Sequence, residues 1–103
     1  MLVLGDSLSA EYGLPRGKGW VSLMQQRLQT EKIDAIVINA SISGETTAGG
    51  NARLPALLAQ HQPSIIIVEL GGNDGLRGLY LAATQANLRQ IIQQSAASGA
   101  QVL

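Results

Sequence analysis

Ser64-Ile65-Ile66-Ile67-Val68-Glu69-Leu70, running into Gly71-Gly72-Asn73-Asp74, is the stretch on which the fold of this chain turns. A short unbroken run of β-branched residues, closed by paired glycines, predicts a strand buried on both faces, as in a parallel sheet. Two earlier runs have the same form. Met1-Leu2-Val3-Leu4 ends in Gly5-Asp6-Ser7, and Ala35-Ile36-Val37-Ile38 ends in Asn39-Ala40-Ser41. Gln101-Val102-Leu103 reads as a fourth strand just starting.

Helical patterns fill the intervals. Trp20, Leu23, Met24 and Leu28 recur at helical spacing among Gln25, Gln26 and Arg27, an amphipathic first helix in which Trp20, Leu23 and Met24 are expected to face the core. A second helix is predicted from about Thr47 to Gln60, with Leu54, Leu57 and Leu58 inward, Pro55 opening or kinking a turn and Pro63 marking the exit. Leu88, Ile91, Ile92 and Ser95 supply the buried stripe of a third, closed by Gly99 where a left-handed cap is wanted. Strands alternating with helices predict an α/β fold, a three-layer α/β/α arrangement on a parallel flavodoxin-like sheet, with no repeat or linker inside residues 1–103.

The bulk composition narrows the function classes. The chain has 103 residues, enough for one small domain, and its 46% hydrophobic and 14% charged residues are a globular and not a disordered balance. Seven basic residues cancel seven acidic ones without a cationic cluster, so nucleic acid and anionic membrane are not expected partners. With no cysteine and one histidine, neither a thiolate nor a histidine metal site is expected, and no cofactor is called for. No apolar run approaches the roughly 20 residues that span a bilayer, so a soluble chain without stable membrane insertion is expected. A first strand of about four residues and a fourth of about three, against a usual five or six, lead to the expectation that sequence is missing at both ends. No export signal is read at the start.

Loops at the carboxyl ends of parallel strands open on one edge of the sheet, where ligands bind. Gly5-Asp6-Ser7-Leu8-Ser9, Ser41-Ile42-Ser43-Gly44 and Gly71-Gly72-Asn73-Asp74 all fall on that edge. A strand order of 2-1-3-4 puts the reversal between strands one and three, so Ser7 and Asn73 flank the crevice. That combination suits acyl transfer: a hydroxyl nucleophile needs donors for the charge that grows on the attacked carbonyl oxygen. Asn73 offers a side-chain N–H, Gly44 an unobstructed backbone N–H and Ser7 its own backbone N–H.

These three segments, in this order and spacing, resemble the first three sequence blocks of the SGNH (GDSL) hydrolases, over essentially the whole chain. Asn39–Thr47 and Val68–Gly78 are similar to the bacterial multifunctional acyl-CoA thioesterase, lysophospholipase and arylesterase subgroup of that family. The resemblance implies that residues 1–103 are the N-terminal part of a single SGNH-hydrolase domain, with Ser7 as nucleophile and Gly44 and Asn73 as oxyanion-hole donors. It also implies a small-molecule acyl ester or thioester substrate and residence in the periplasm. The family's fourth element, an Asp-x-x-His that activates the serine, has no counterpart here. His61 does not replace it. It precedes strand three and so belongs to the amino edge, a strand length of roughly 17–20 Å from Ser7, whereas proton transfer needs about 3 Å.

The remaining polar residues carry structural expectations. Asp6 and Asp74 are expected to hold their turns by accepting backbone bonds. Glu69, near the end of an apolar strand, must either be paired or point into the crevice, and sequence leaves both open. Leu76, Leu79 and Tyr80 either wall an acyl groove or simply pack, and Arg77 is expected to be solvated. Beside the ester or thioester hydrolase stand two other readings: a non-catalytic α/β fragment that binds acyl or anionic ligands, and a carbohydrate O-acetyl esterase.

Overall fold

The apolar runs form four strands, β1 (Leu2–Gly5), β2 (Ile38–Asn39), β3 (Ile65–Glu69) and β4 (Gln101–Val102), in a computed structural model that describes residues 1–103. Helices α1 (Trp20–Thr30), α2 (Thr47–His61), α3 (Gly72–Leu76) and α4 (Leu81–Ala97) join them. All strand pairs are parallel and the order is β2-β1-β3-β4, so the expected α/β fold and its reversal between β1 and β3 are present. Leu2 lies opposite Ile66 and Gly5 opposite Glu69.

That register sorts the side chains by face, because they alternate along a strand. Leu2, Leu4, Ile66 and Val68 pack on one face with Leu54, Leu57 and Leu58 of α2 and Ile91 of α4. Val3 points the other way and is also fully buried. Glu69 shares its face. The start of α1 lies there too, since Ser9 bonds both Trp20 and Glu69.

Several boundaries differ from the sequence reading. β1 runs one residue later. β2 begins only at Ile38, because Leu2 is the partner of Ile38 and the residues before it extend past the end of β1. Ile36 is left 75% exposed. In α1 the buried anchor is Val21, while Leu23 turns outward; in α4 Ile91 and Ser95 are buried but Ile92 is half exposed. The remaining residues of both stripes are at least partly buried, so Leu23 and Ile92 are the exceptions: an apolar residue flanking a helical stripe can satisfy the spacing without facing the core. Pro55 stays inside α2 on its exposed side, and Gln62 closes that helix in a left-handed conformation before Pro63. Gly99 takes a positive φ after α4, as expected. No helix is long and apolar enough to cross a membrane.

Gly72–Leu76, read as loop, is a short helix, and Asp74 within it is the fold's main polar tie. Asp74 is 3% exposed. It accepts from the Thr47 backbone N–H at 2.8 Å, from the Thr47 hydroxyl at 2.6 Å and from the Thr84 hydroxyl at 2.8 Å, joining α2, α3 and α4. Burial alone would raise its carboxyl, but these donors outweigh burial and hold it below its ordinary value of 3.8. Its stabilising contribution is therefore complete above that value and is lost as pH falls through the lower folded one.

Leu54→Ala is expected to cost about 2–5 kcal/mol, the range for emptying a fully buried leucine site, read from urea unfolding of the full-length protein. Asp74→Asn should destabilise by about 2 kcal/mol at neutral pH, through lost or mismatched buried hydrogen bonds. The gap from wild type should narrow in melts run below pH 3.8. A gap that widens on acidification would contradict the assignment.

Candidate active site

Ser7 sits in the turn that leaves β1. The Asp6 carbonyl accepts from Ser9 N–H at 3.1 Å and from Ala10 N–H at 2.9 Å, while its carboxylate accepts from Leu8 N–H at 3.0 Å. Asp6 thus takes the turn-forming role expected of it, with 2% exposure. No side chain bonds the Ser7 hydroxyl.

Gly44 lies in the loop after β2 with φ of 84°, a left-handed conformation that glycine adopts without strain. Its carbonyl accepts from Arg77 at 3.3 Å, so Arg77 is tied to this loop and not merely solvated. The next residue, Glu45, forms a 2.6 Å ion pair with Arg53, which also donates to the Ala40 carbonyl at 2.8 Å. One arginine on α2 thereby braces both ends of the β2–α2 loop.

Asn73 joins these two loops. Its Nδ2 donates to the Glu45 carbonyl at 2.9 Å and reaches Asp6 Oδ2 at 3.4 Å. The second contact is beyond the ordinary range for an N–H···O bond, so that N–H is weakly held. The three loops read from sequence do converge, with the immediate neighbours of Ser7 and Gly44 bridged by one amide. The backbone N–H groups of Ser7 and Gly44 donate to nothing within the chain.

Of the two alternatives that sequence left open for Glu69, the structure shows the pairing. It is partly buried and paired: Oε1 accepts from Ser9 Oγ at 2.8 Å and from Asp6 N–H at 3.3 Å. Burial is the main reason its carboxyl is pushed above the ordinary glutamate value of 4.5, and the nearby Asp6 carboxylate pushes the same way. Trp20 contributes more than packing, because its indole N–H donates to Ser9 Oγ at 3.0 Å. Asn39 donates to the Ser9 carbonyl at 2.8 Å.

Glu11 escaped the sequence reading altogether. Its carboxylate accepts from Gly17 and Gly19 N–H, both at 2.8 Å, and from the Ser22 hydroxyl at 3.3 Å. The bond from Gly19 leads the causes that lower its pKa. A carboxylate gathering N–H groups at the start of α1 fits the positive end of that helix, and the Glu-x5-Gly-x-Gly spacing was its only trace in sequence.

His61 ends α2 at the opposite edge of the sheet. With Met1, Leu2, Asp34, Ile36 and Ile65 it lines a cavity of about 600 Å³. Its one lining hydroxyl, Ser64, makes no hydrogen bond to His61, whereas at the Ser7 edge the Asn73 amide ties the three loops together. Leu76 and Tyr80 stand 87% and 85% exposed and Leu79 is half exposed. The packing alternative for them is therefore not met within these residues. No group of acidic or histidine side chains here is arranged to hold a metal ion.

Comparison with known proteins agrees with the fold. The chain is 56% identical over 103 residues to "Esterase TesA" of Pseudomonas aeruginosa, across 100% of this chain and 51% of that protein. It is 50% identical to "Thioesterase 1/protease 1/lysophospholipase L1" of Escherichia coli, across 100% of this chain and 48% of that one. It spans about half the length of the curated relatives it matches. A crystal structure of TesA superposes with a TM-score of 0.96 at 56% identity, covering 98% of this chain and 56% of the other. The model of the GDSL-like lipase/acylhydrolase family matches residues 3–103, and the chain belongs to that family.

Proposed function

We propose that the protein containing this chain is a serine hydrolase of carboxylic esters or thioesters, of the acyl-CoA, lysophospholipid or aryl ester type, acting through an acyl-enzyme on Ser7. The observation that carries the reading is the Asn73 amide, bonded beside Ser7 on one side and beside Gly44 on the other. A carbonyl oxygen in this crevice meets three donors: the backbone N–H groups of Ser7 and Gly44, which have no internal partner, and the loosely held Asn73 N–H.

Ser7 Oγ bonds to the acyl carbon as its proton passes to a base, and the carbonyl oxygen gains the charge that the donors hold. Collapse expels the alcohol or thiol, which takes a proton. Water then attacks the acyl-serine by the same route, releasing the acid and restoring Ser7. His61 is the one histidine here and lies at the wrong edge. The base therefore comes from outside residues 1–103. In the family resemblance that base is the histidine of an Asp-x-x-His. Relatives named esterase and thioesterase support the ester and thioester classes. Periplasmic residence is proposed on the resemblance alone, as is the assignment of residues 1–103 to the N-terminal part of one domain.

In the full-length protein, Ser7→Ala should abolish labelling by a fluorophosphonate probe and turnover of a long-chain acyl thioester. Asn73→Ala should lower kcat by about 100- to 1,000-fold, as removal of one oxyanion donor does elsewhere. Labelling that persists in Ser7→Ala would sink the nucleophile assignment, and faster turnover of acetylated sugars than of acyl thioesters would redirect the substrate class.

A further inference from the structure

Ser7 is flanked in sequence by two groups that converge on a single oxygen. Glu69 Oε1 accepts from the Asp6 N–H on one side of Ser7 and from the Ser9 hydroxyl on the other. The same Ser9 hydroxyl accepts from the Trp20 indole, so the chain Trp20–Ser9–Glu69–Asp6 runs from α1 through the end of β3 to the turn that carries Ser7. The cluster is tightly built. A methyl group at Gly5, the residue opposite Glu69, would lie 2.7 Å from Ser9 Oγ and 3.0 Å from Glu69 Oε1. Such approaches leave no room for a side chain other than hydrogen at position 5.

We propose that Glu69 is a positioning residue for the nucleophile turn, its Oε1 fixing Asp6 and Ser9 and through them the direction of Ser7, and that it does this as a hydrogen-bond acceptor and not as a charge. This rests on the hydrolase reading of Ser7. Both bonds end on Oε1, and the carbonyl oxygen of a glutamine accepts in the same way. Asp6 is the ionisable side chain nearest to Glu69 and carries the same charge, while Ser9 and Trp20 are neutral. Asp74, in the next helix, turns its oxygens to Thr47 and Thr84 instead. The bonds from Ser9 and from the Asp6 N–H favour a charged Glu69, but no positive group faces it. Burial, with the Asp6 carboxylate beside it, pushes its carboxyl toward the neutral form.

The test compares Glu69→Ala with Glu69→Gln in the full-length protein, using a long-chain acyl thioester and a fluorophosphonate probe. Glu69→Ala should lose roughly 10- to 100-fold in kcat, the scale of a misplaced reacting group, with KM within about threefold, and should label correspondingly more slowly. Glu69→Gln should recover most of that loss. Where Glu69→Ala does not fold, judged by circular dichroism and melting, Ser9→Ala removes one of the two bonds and should show a smaller loss, again in kcat. A Gln variant as slow as the Ala variant would overturn the acceptor role, and so would a loss confined to KM. Unchanged kcat in Glu69→Ala would overturn the positioning role. A wild-type protein that neither labels nor turns over ester would instead sink the hydrolase reading, so the two failures are distinct.

Discussion

The pairing of β1 with β3 is the constraint on which everything else depends. Leu2 against Ile66 and Leu4 against Val68 bury one face under α2 and α4. Their register leaves Gly5 opposite Glu69 at the edge. A slip of one residue would turn the apolar set away from the helices, and in the present register any side chain at position 5 would collide with Ser9. The hydrophobic pattern that stabilises the sheet thereby also sets which polar groups meet at its end. The turn at Asp6–Ser9 and the segment at Gly71–Asp74 leave neighbouring strands at the same height.

What was legible in sequence follows from locality. The runs at Leu2–Leu4 and Ile65–Val68 announce strands because each is a contiguous apolar stretch, and their alternation with helices determines the sheet type. The loop residues Ser7, Gly44 and Asn73 could be brought to one edge by topology alone. Where the reading slipped, the signal was not local. Helical spacing in α1 is satisfied equally well by Val21 and by Leu23, and only the packed structure shows which is buried. The start of β2 depends on how far β1 extends beside it.

The polar ties were less legible still. Glu69 with Ser9 spans 60 residues, Asp74 with Thr47 spans 27 and Arg53 with Glu45 spans eight. None of these separations has a periodic or motif signature. Each nonetheless follows a rule that sequence cannot apply by itself: a buried carboxylate must find donors, and the register decides which ones are in reach. Sequence could say that Glu69 needed a partner. It could not say that the partners would lie on either side of Ser7.

The site divides its donors into two sets. The structural set is occupied: Asp74 takes Thr47 and Thr84, Glu11 takes Gly17 and Gly19, and Arg53 spans the β2–α2 loop. The other set is idle or nearly so, comprising the Ser7 and Gly44 N–H groups and one long Asn73 contact. This division is what a binding site for developing negative charge requires. Donors already engaged cannot strengthen when an oxyanion forms, and donors that must first be reoriented cost energy at the moment they are needed. The carboxylates of Asp74 and Glu11 are engaged elsewhere and do not compete for the idle donors, and the Asp6 carboxylate touches one of them only at 3.4 Å. Asn73 bridges the two sets, since its firm bond to Glu45 aims the amide whose second hydrogen stays loosely held. Rigidity and availability come from the same side chain, and the β1–β3 register puts it beside Ser7.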